Sequence, residues 1–159
     1  MTTSTLPPKL AETVELLALL PGRDDRIQAL IDVAERFRDV PERVARRPFP
    51  AEAKVPACES EAYVFAEERP DGTLDYHFAV ENPQGISAKC LAVILGESLS
   101  GAPPEQVARV PDDLIYDVFG RELSMGKSMG LMGMVHMVSA AARKQLERPA
   151  GIFSPSSRV

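Results

Sequence analysis

Ala62-Tyr63-Val64-Phe65-Ala66-Glu67 and Leu74-Asp75-Tyr76-His77-Phe78-Ala79-Val80, separated by a segment containing Pro70-Asp71-Gly72, decide the fold of this chain. Both runs are enriched in Tyr, Val and Phe, which suit a pleated, half-buried surface, and Pro-Asp-Gly between them is a turn with a mechanism: proline presets φ and glycine tolerates a positive one. The pair predicts an antiparallel hairpin. The short piece around Lys54-Val55 is expected to add a third strand at its edge.

Upstream, Pro41, Pro48, Pro50 and Pro56 interrupt any regular element, so 41–56 reads as an extended surface connection that delivers the chain to Cys58. Before it, Leu6 to Leu20 predicts a helix with Leu10, Val14, Leu17 and Leu20 at helical spacing, stopped by Pro21-Gly22. A second helix, capped by Asp24 or Asp25, is traced by Ile27, Leu30, Ile31, Ala34 and Phe37 or Arg38 up to Val40-Pro41. The two are expected to form an αα-hairpin. Downstream of Asn82-Pro83 the pattern turns helical again, with Ile86, Cys90, Val93 and Ile94 on one side as far as Gly96 or Ser98. Gly101-Ala102-Pro103-Pro104 breaks it, short helical turns fit Pro104 to Val107 and Pro111 to Phe119, and Ser124 suits the cap of a last helix through Arg143 or Glu147. Helices, a small antiparallel sheet of about three strands, then helices packed on one sheet face make an α+β sandwich. Residues 1–148 read as a single domain and 149–159, bearing Pro, Ser and Gly, as a loose tail.

The composition narrows the function. A chain of 159 residues can bury a core without metal or disulfide staples. A formal net charge of −5 disfavours nucleic acid and anionic membrane, and the run Arg36, Arg38, Arg43, Arg46 and Arg47 is interleaved with Glu35, Asp39 and Glu42 as on a solvated face. Met1 to Thr5 followed by Pro7-Pro8 matches neither a secretory signal nor a transit peptide, so a cytoplasmic location is expected. The longest uncharged stretch, Met129 to Ala142, falls short of a membrane span.

The chemistry-bearing residues are few. The chain has no G-x-S-x-G elbow, no H-E-x-x-H and no glycine-rich phosphate loop. A zinc site would have to draw Cys58, Cys90, His77 and His136 from four separate elements. Free cysteines are usually buried, and Cys90, on an apolar helix pattern, reads as core. Cys58 differs in place: Val55-Pro56-Ala57-Cys58-Glu59-Ser60-Glu61-Ala62-Tyr63 puts a thiol at the exit of a proline-rich connection, where a partner could reach it. Both an inert and a reactive Cys58 fit the residues alone. Met125, Met129, Met132, Met134 and Met137 read as core packing with the first turn exposed, against the alternatives of a soft-metal site or an adaptable docking surface.

The 55–63 run resembles the loop of the SufE family, whose V-x-G-C-x-S-x-x-W motif Val55, Cys58 and Ser60 match in register. The likeness continues in Lys89-Cys90-Leu91, similar to (K/R)-G-L, in Leu99 to Glu105, similar to Y-x-G-x-x-P-x-E, and in Leu123-Ser124 to Gly130-Leu131, similar to L-(S/T)-P-S-R-x-x-G-L. The chain departs at Ala57 for Gly, Tyr63 for Trp, Cys90 for Gly, Met125 for Pro and Lys127 for Arg, and Glu59 and Glu61 replace glutamines. Ala57 narrows the loop's backbone freedom, and the acidic pair works against a self-activated thiolate.

The resemblance implies a sulfur carrier with a fold like SufE and IscU. Cys58 would take persulfide sulfur from a pyridoxal-phosphate-dependent, SufS-like cysteine desulfurase and deliver it to a SufB-containing Fe–S scaffold. Ala57, Ser60, Tyr63 and Lys127 would support the loop or bind the partner, and the chain itself would hold no cofactor or metal. It would act as a monomer or weak homodimer, without nucleic acid or membrane. Two rivals remain: an IscU-like cluster scaffold, which needs about three cysteine-type ligands, and a helical interaction module with an inert cysteine.

Overall fold

The computed structural model describes residues 6–148. It contains helices α1 (Pro8–Ala18) and α2 (Arg23–Ala34), strands β1 (Ala62–Glu68) and β2 (Leu74–Val80), and helices α3 (Ile86–Leu99), α4 (Pro104–Val107), α5 (Leu114–Phe119) and α6 (Met125–Leu146). This is the expected α+β order, with one correction to the sheet. It has two strands, paired antiparallel from Ala62↔Val80 to Glu68↔Leu74. Lys54 contributes one isolated bridge to Tyr63. A 3-10 turn at Ala51–Ala53 precedes it and Pro56 follows almost at once, so no third strand has room to propagate.

The hairpin's alternation decides where the core lies. Ala62 and Val64 on β1 and Leu74, Tyr76, Phe78 and Val80 on β2 are buried on one face, against α3 and α6. The opposite face carries Tyr63 and Phe65, capped by the Phe49 ring at centroid distances of 5.0 and 5.2 Å. The proline-rich connection is thereby fastened across the back of the hairpin. Arg47 helps to fasten it: its guanidinium pairs with Asp39 at 2.7 Å and with Glu81 at 2.8 Å, and lies 4.8 Å from the Phe49 centroid. Arg36 and Arg43 are also ion-paired, with Glu97 and Glu67, so this part of the basic run neutralises local carboxylates.

Helix α3 is the central element rather than a one-sided one. Ala88, Cys90, Leu91, Ala92, Val93, Ile94, Leu95, Ser98 and Leu99 are all buried, because α1, α2, β2 and α6 surround it. Each large aliphatic side chain buried there contributes about 1.5–3 kcal/mol. Helices α1 and α2 each rest on α3 more than on one another, so the expected αα-hairpin is not a packed pair. Helix α2 stops at Ala34, its N-cap is Gly22, and Asp24 and Asp25 lie in its first turn without capping through their side chains. Only Ala34 of its expected apolar face is buried, while Ile27 and Ile31 are 43% and 36% exposed. Ser124 does cap α6, its Oγ accepting from the Lys127 N–H at 3.2 Å. No described helix is long and apolar enough to cross a membrane. The 149–159 tail expected from the sequence lies outside the described residues.

Candidate functional site

The loop carrying Cys58 is closed on itself by two internal hydrogen bonds and turned by two unusual backbone angles. Val55 N–H donates to the Ala62 carbonyl at 2.8 Å, closing the loop's base, and Glu61 N–H donates to the Cys58 carbonyl at 3.0 Å, closing its tip. Ala57 and Glu61 adopt left-handed conformations, with φ of 58° and 53°. These angles bracket the cysteine and turn the chain back on itself. Asn82 holds the far side, its backbone N–H donating to the Ser60 carbonyl at 3.1 Å and its side-chain amide to the Glu59 carbonyl at 3.4 Å.

Ala57 therefore occupies the glycine-type conformation that its side chain disfavours; such a residue costs on the order of 1–3 kcal/mol. Replacing it by glycine removes that strain but enlarges the unfolded ensemble, and the two effects nearly cancel. Ala57→Gly is expected to leave stability unchanged or raise it by up to about 1 kcal/mol, and Ala57→Val to lower it by about 1–2 kcal/mol. Urea unfolding decides: a loss above about 1 kcal/mol for Ala57→Gly, as at an ordinary helical alanine, contradicts the strained assignment.

The loop lies on a bed of glycines along α6. A Cβ on Gly130 would come within 3.1 Å of Cys58 Cα, 3.3 Å of its Cβ and 3.4 Å of its Sγ. One on Gly133 would meet Val55 Cγ1 at 2.8 Å, and one on Gly126 would meet Glu59 Oε2 at 3.4 Å. Ser60 sits as tightly against Gly85, where an added Cβ would meet its Cβ and Oγ at 2.9 Å. Gly126 and Gly133 have no assigned role in the sequence reading. Their spacing with Gly130 puts all three on one side of the helix, a sign that another backbone approaches there.

Cys58 is half-buried and lines a depression of about 260 Å³ together with Ser60, Gly85, Lys127 and Gly130. Lys127 is exposed and takes no ion pair among the described residues. Glu59 and Glu61 are exposed. Of the residues singled out from the sequence, the structure thus brings Cys58, Ser60 and Lys127 to one mouth, with Ala57 in the loop itself. Tyr63 stands apart, at the loop's base, against Phe49 and bridged to Lys54.

The second cysteine has a different character. Cys90 is 0% exposed, and burial pushes its thiol up to about 12, with the Arg36 guanidinium acting the other way. The unfolded chain ionises this thiol first. Stability from the buried neutral form is therefore full below about pH 9 and is lost as pH rises toward about 12. Iodoacetamide near neutral pH is expected to modify Cys58 alone in the folded protein and both cysteines in denaturant. Equal labelling of the two in the folded state contradicts this geometry.

The histidines are engaged elsewhere. His136 lies 3.7 Å from Asp112 at the surface, and His77 Nε2 is 3.0 Å from Glu67. Glu67, Asp75 and His77 form a group, among the described residues, whose spacing would suit a cation, but Arg43 and Arg69 already pair with the two carboxylates, and Cys58 is not part of the group. Met134 is core, whereas Met125 and Met129 are 78% and 53% exposed, Met129 lining a hollow with Pro56 and Ala57, so the methionine cluster divides between packing and surface.

The family model for SufE, described as an Fe–S metabolism associated domain, matches residues 11–142. The chain belongs to the SufE family. A curated SufE relative, named cysteine desulfuration protein SufE, of Plasmodium vivax, is 29% identical over 136 residues, covering 85% of this chain and 53% of that protein. The chain thus spans about half the length of that SufE relative. A solution structure of a hypothetical protein from Thermus thermophilus superposes with a TM-score of 0.67 at 25% identity, covering 89% of this SufE chain and 98% of the other.

Proposed function

We propose that Cys58 accepts sulfane sulfur from a pyridoxal-phosphate-dependent cysteine desulfurase, holds it as a persulfide and yields it to an Fe–S scaffold. The observation that carries this reading is the contrast between two thiols of one chain. Cys90 is fully buried, while Cys58, in register with the SufE motif, rides a loop laid over glycines at the surface. In the transfer the Cys58 thiolate attacks the outer sulfur of the donor's cysteine persulfide. The donor's S–S bond breaks, its cysteine leaves as thiolate, and a new S–S bond forms on Cys58. No external oxidant is required.

Ser60 and Ala57 shape the loop, Tyr63 supports its base, and Lys127 at the mouth offers its ammonium to the anionic persulfide or to carboxylates of the donor. A cluster scaffold finds less support, since Cys58 belongs to no described group of ligand-bearing side chains.

Alanine production by a cysteine desulfurase, with cysteine and increasing amounts of this chain, tests the reading. Turnover should rise and saturate; a flat response refutes it. Lys127→Glu is expected to weaken the stimulation about tenfold, by reversing a charge at the mouth. An unchanged titration removes Lys127 from the account.

A further inference from the structure

A second, larger hollow adjoins the site. It has a volume of about 670 Å³ and runs between α2, the start of α3 and the α5–α6 connection. Its apolar wall includes Ile27, Ile31, Ile86 and Phe119, and the three isoleucines are 43%, 36% and 47% exposed. Isolated exposed hydrophobics are ordinary, but several gathered in one concave surface mark a place where something packs.

The charges around the groove are mostly of one sign. Arg23, Arg26, Arg121 and Lys127 line it against one carboxylate, Glu122, in a chain whose formal net charge is −5. Arg26 is committed to the end of α5, donating to the Asp117 and Val118 carbonyls at 3.3 and 2.8 Å. Arg23 meets Glu122 at 3.2 Å, with both side chains at least three-quarters exposed, so that pair is weak and exchangeable. Arg121 lies 5.3 Å from the Tyr116 centroid. Ile86, Ser87 and Lys127 line both the groove and the depression that holds Cys58, so the two hollows are neighbours.

We infer that this groove docks an acidic amphipathic segment of the sulfur donor, in which apolar side chains flanked by Asp or Glu fill the isoleucine-lined floor. The inference rests on the proposed function and adds the chemistry of the partner surface. The apolar anchor supplies affinity, and the cationic rim steers encounter and fixes register. Because Lys127 borders both hollows, a segment seated in the groove brings the donor's loaded cysteine to the mouth rather than to another part of the surface.

The test is a titration of desulfurase stimulation by the full chain, run with a purified cysteine desulfurase at several salt concentrations. The double variant Arg23→Glu/Arg121→Glu, and separately Ile27→Ser, should raise the half-saturating concentration about tenfold, more than either changes the saturating rate, and the double variant should flatten the salt dependence. Leu16→Ser and Leu19→Ser, at exposed apolar positions outside the groove, should leave the titration in place. If the unaltered chain takes sulfur on Cys58 but the groove variants half-saturate where it does, the groove inference alone is overturned. If sedimentation shows instead that the variants dissolve a dimer of this chain without shifting the titration, the groove joins two copies and the inference is again overturned. If Cys58 takes no sulfur at all, the proposed function fails first.

Discussion

Cys58→Ser should abolish desulfurase stimulation while leaving the fold and the affinity for the desulfurase intact. The hydroxyl is nearly isosteric with the thiol but is scarcely ionised near neutrality and is a far weaker nucleophile, so the S–S exchange has no acceptor. The residue is half-buried in a surface loop, and its replacement creates neither a cavity nor an unpaired buried group. Cys90→Ala should do the reverse. It truncates a fully buried side chain in the central helix and costs about 1–2 kcal/mol of stability, yet it leaves stimulation untouched. Thermal unfolding and alanine production, measured on both variants, read the two effects separately. Stimulation retained by Cys58→Ser, or lost by a folded Cys90→Ala, inverts the assignment.

Gly130→Val should release the loop. The glycine leaves just enough room for Cys58, whose Cα, Cβ and Sγ stand 3.1, 3.3 and 3.4 Å from where a first side-chain carbon would lie. Valine adds that carbon and two more. Overpacking a close contact costs about 1–3 kcal/mol, and here the loop can lift away instead of straining the helix. A shift of 1–2 kcal/mol changes the open population by roughly 5–30-fold, and the alkylation rate of Cys58 should rise by the same factor. Gly96→Ala on α3, where the nearest atoms are at ordinary contact distance, should leave alkylation unchanged. Gly130→Val that folds but alkylates at the original rate shows that the loop does not rest on α6 as described.

The parts of the fold that are legible in the sequence are those set by local chemistry. Pro70-Asp71-Gly72 marks the hairpin turn, Ser124 marks the start of α6, and Pro21-Gly22 separates α1 from α2. What is not legible depends on neighbours. Ile27 and Ile31 recur at helical spacing as core residues do, but nothing in a one-dimensional pattern says that the groove beside them stays open. Lys54-Val55 has strand character, and the 3-10 turn before it with Pro56 after it limits that character to one bridge.

The site divides in the same way. Cys58, Ser60 and Lys127 stand out through the motif and do share one depression. The glycines at 126 and 133 pass as part of a helical run, although each costs a helix about 1 kcal/mol relative to alanine. Three glycines on one helical side are intelligible only once the loop is seen lying on them, with the Cys58 backbone on Gly130 and the Glu59 and Val55 side chains on Gly126 and Gly133. Ala57 is expected to restrict the loop, and the structure shows the restriction being met at a left-handed φ of 58°.

The most direct measurement is the intact mass of this chain after incubation with a cysteine desulfurase and cysteine, without reductant, followed by tryptic mapping. The account predicts one added sulfur, carried by the peptide 55–89 that contains Cys58 and absent from the peptide 90–109 that contains Cys90. An unmodified mass alongside an active desulfurase, or sulfur found on the Cys90 peptide, contradicts it.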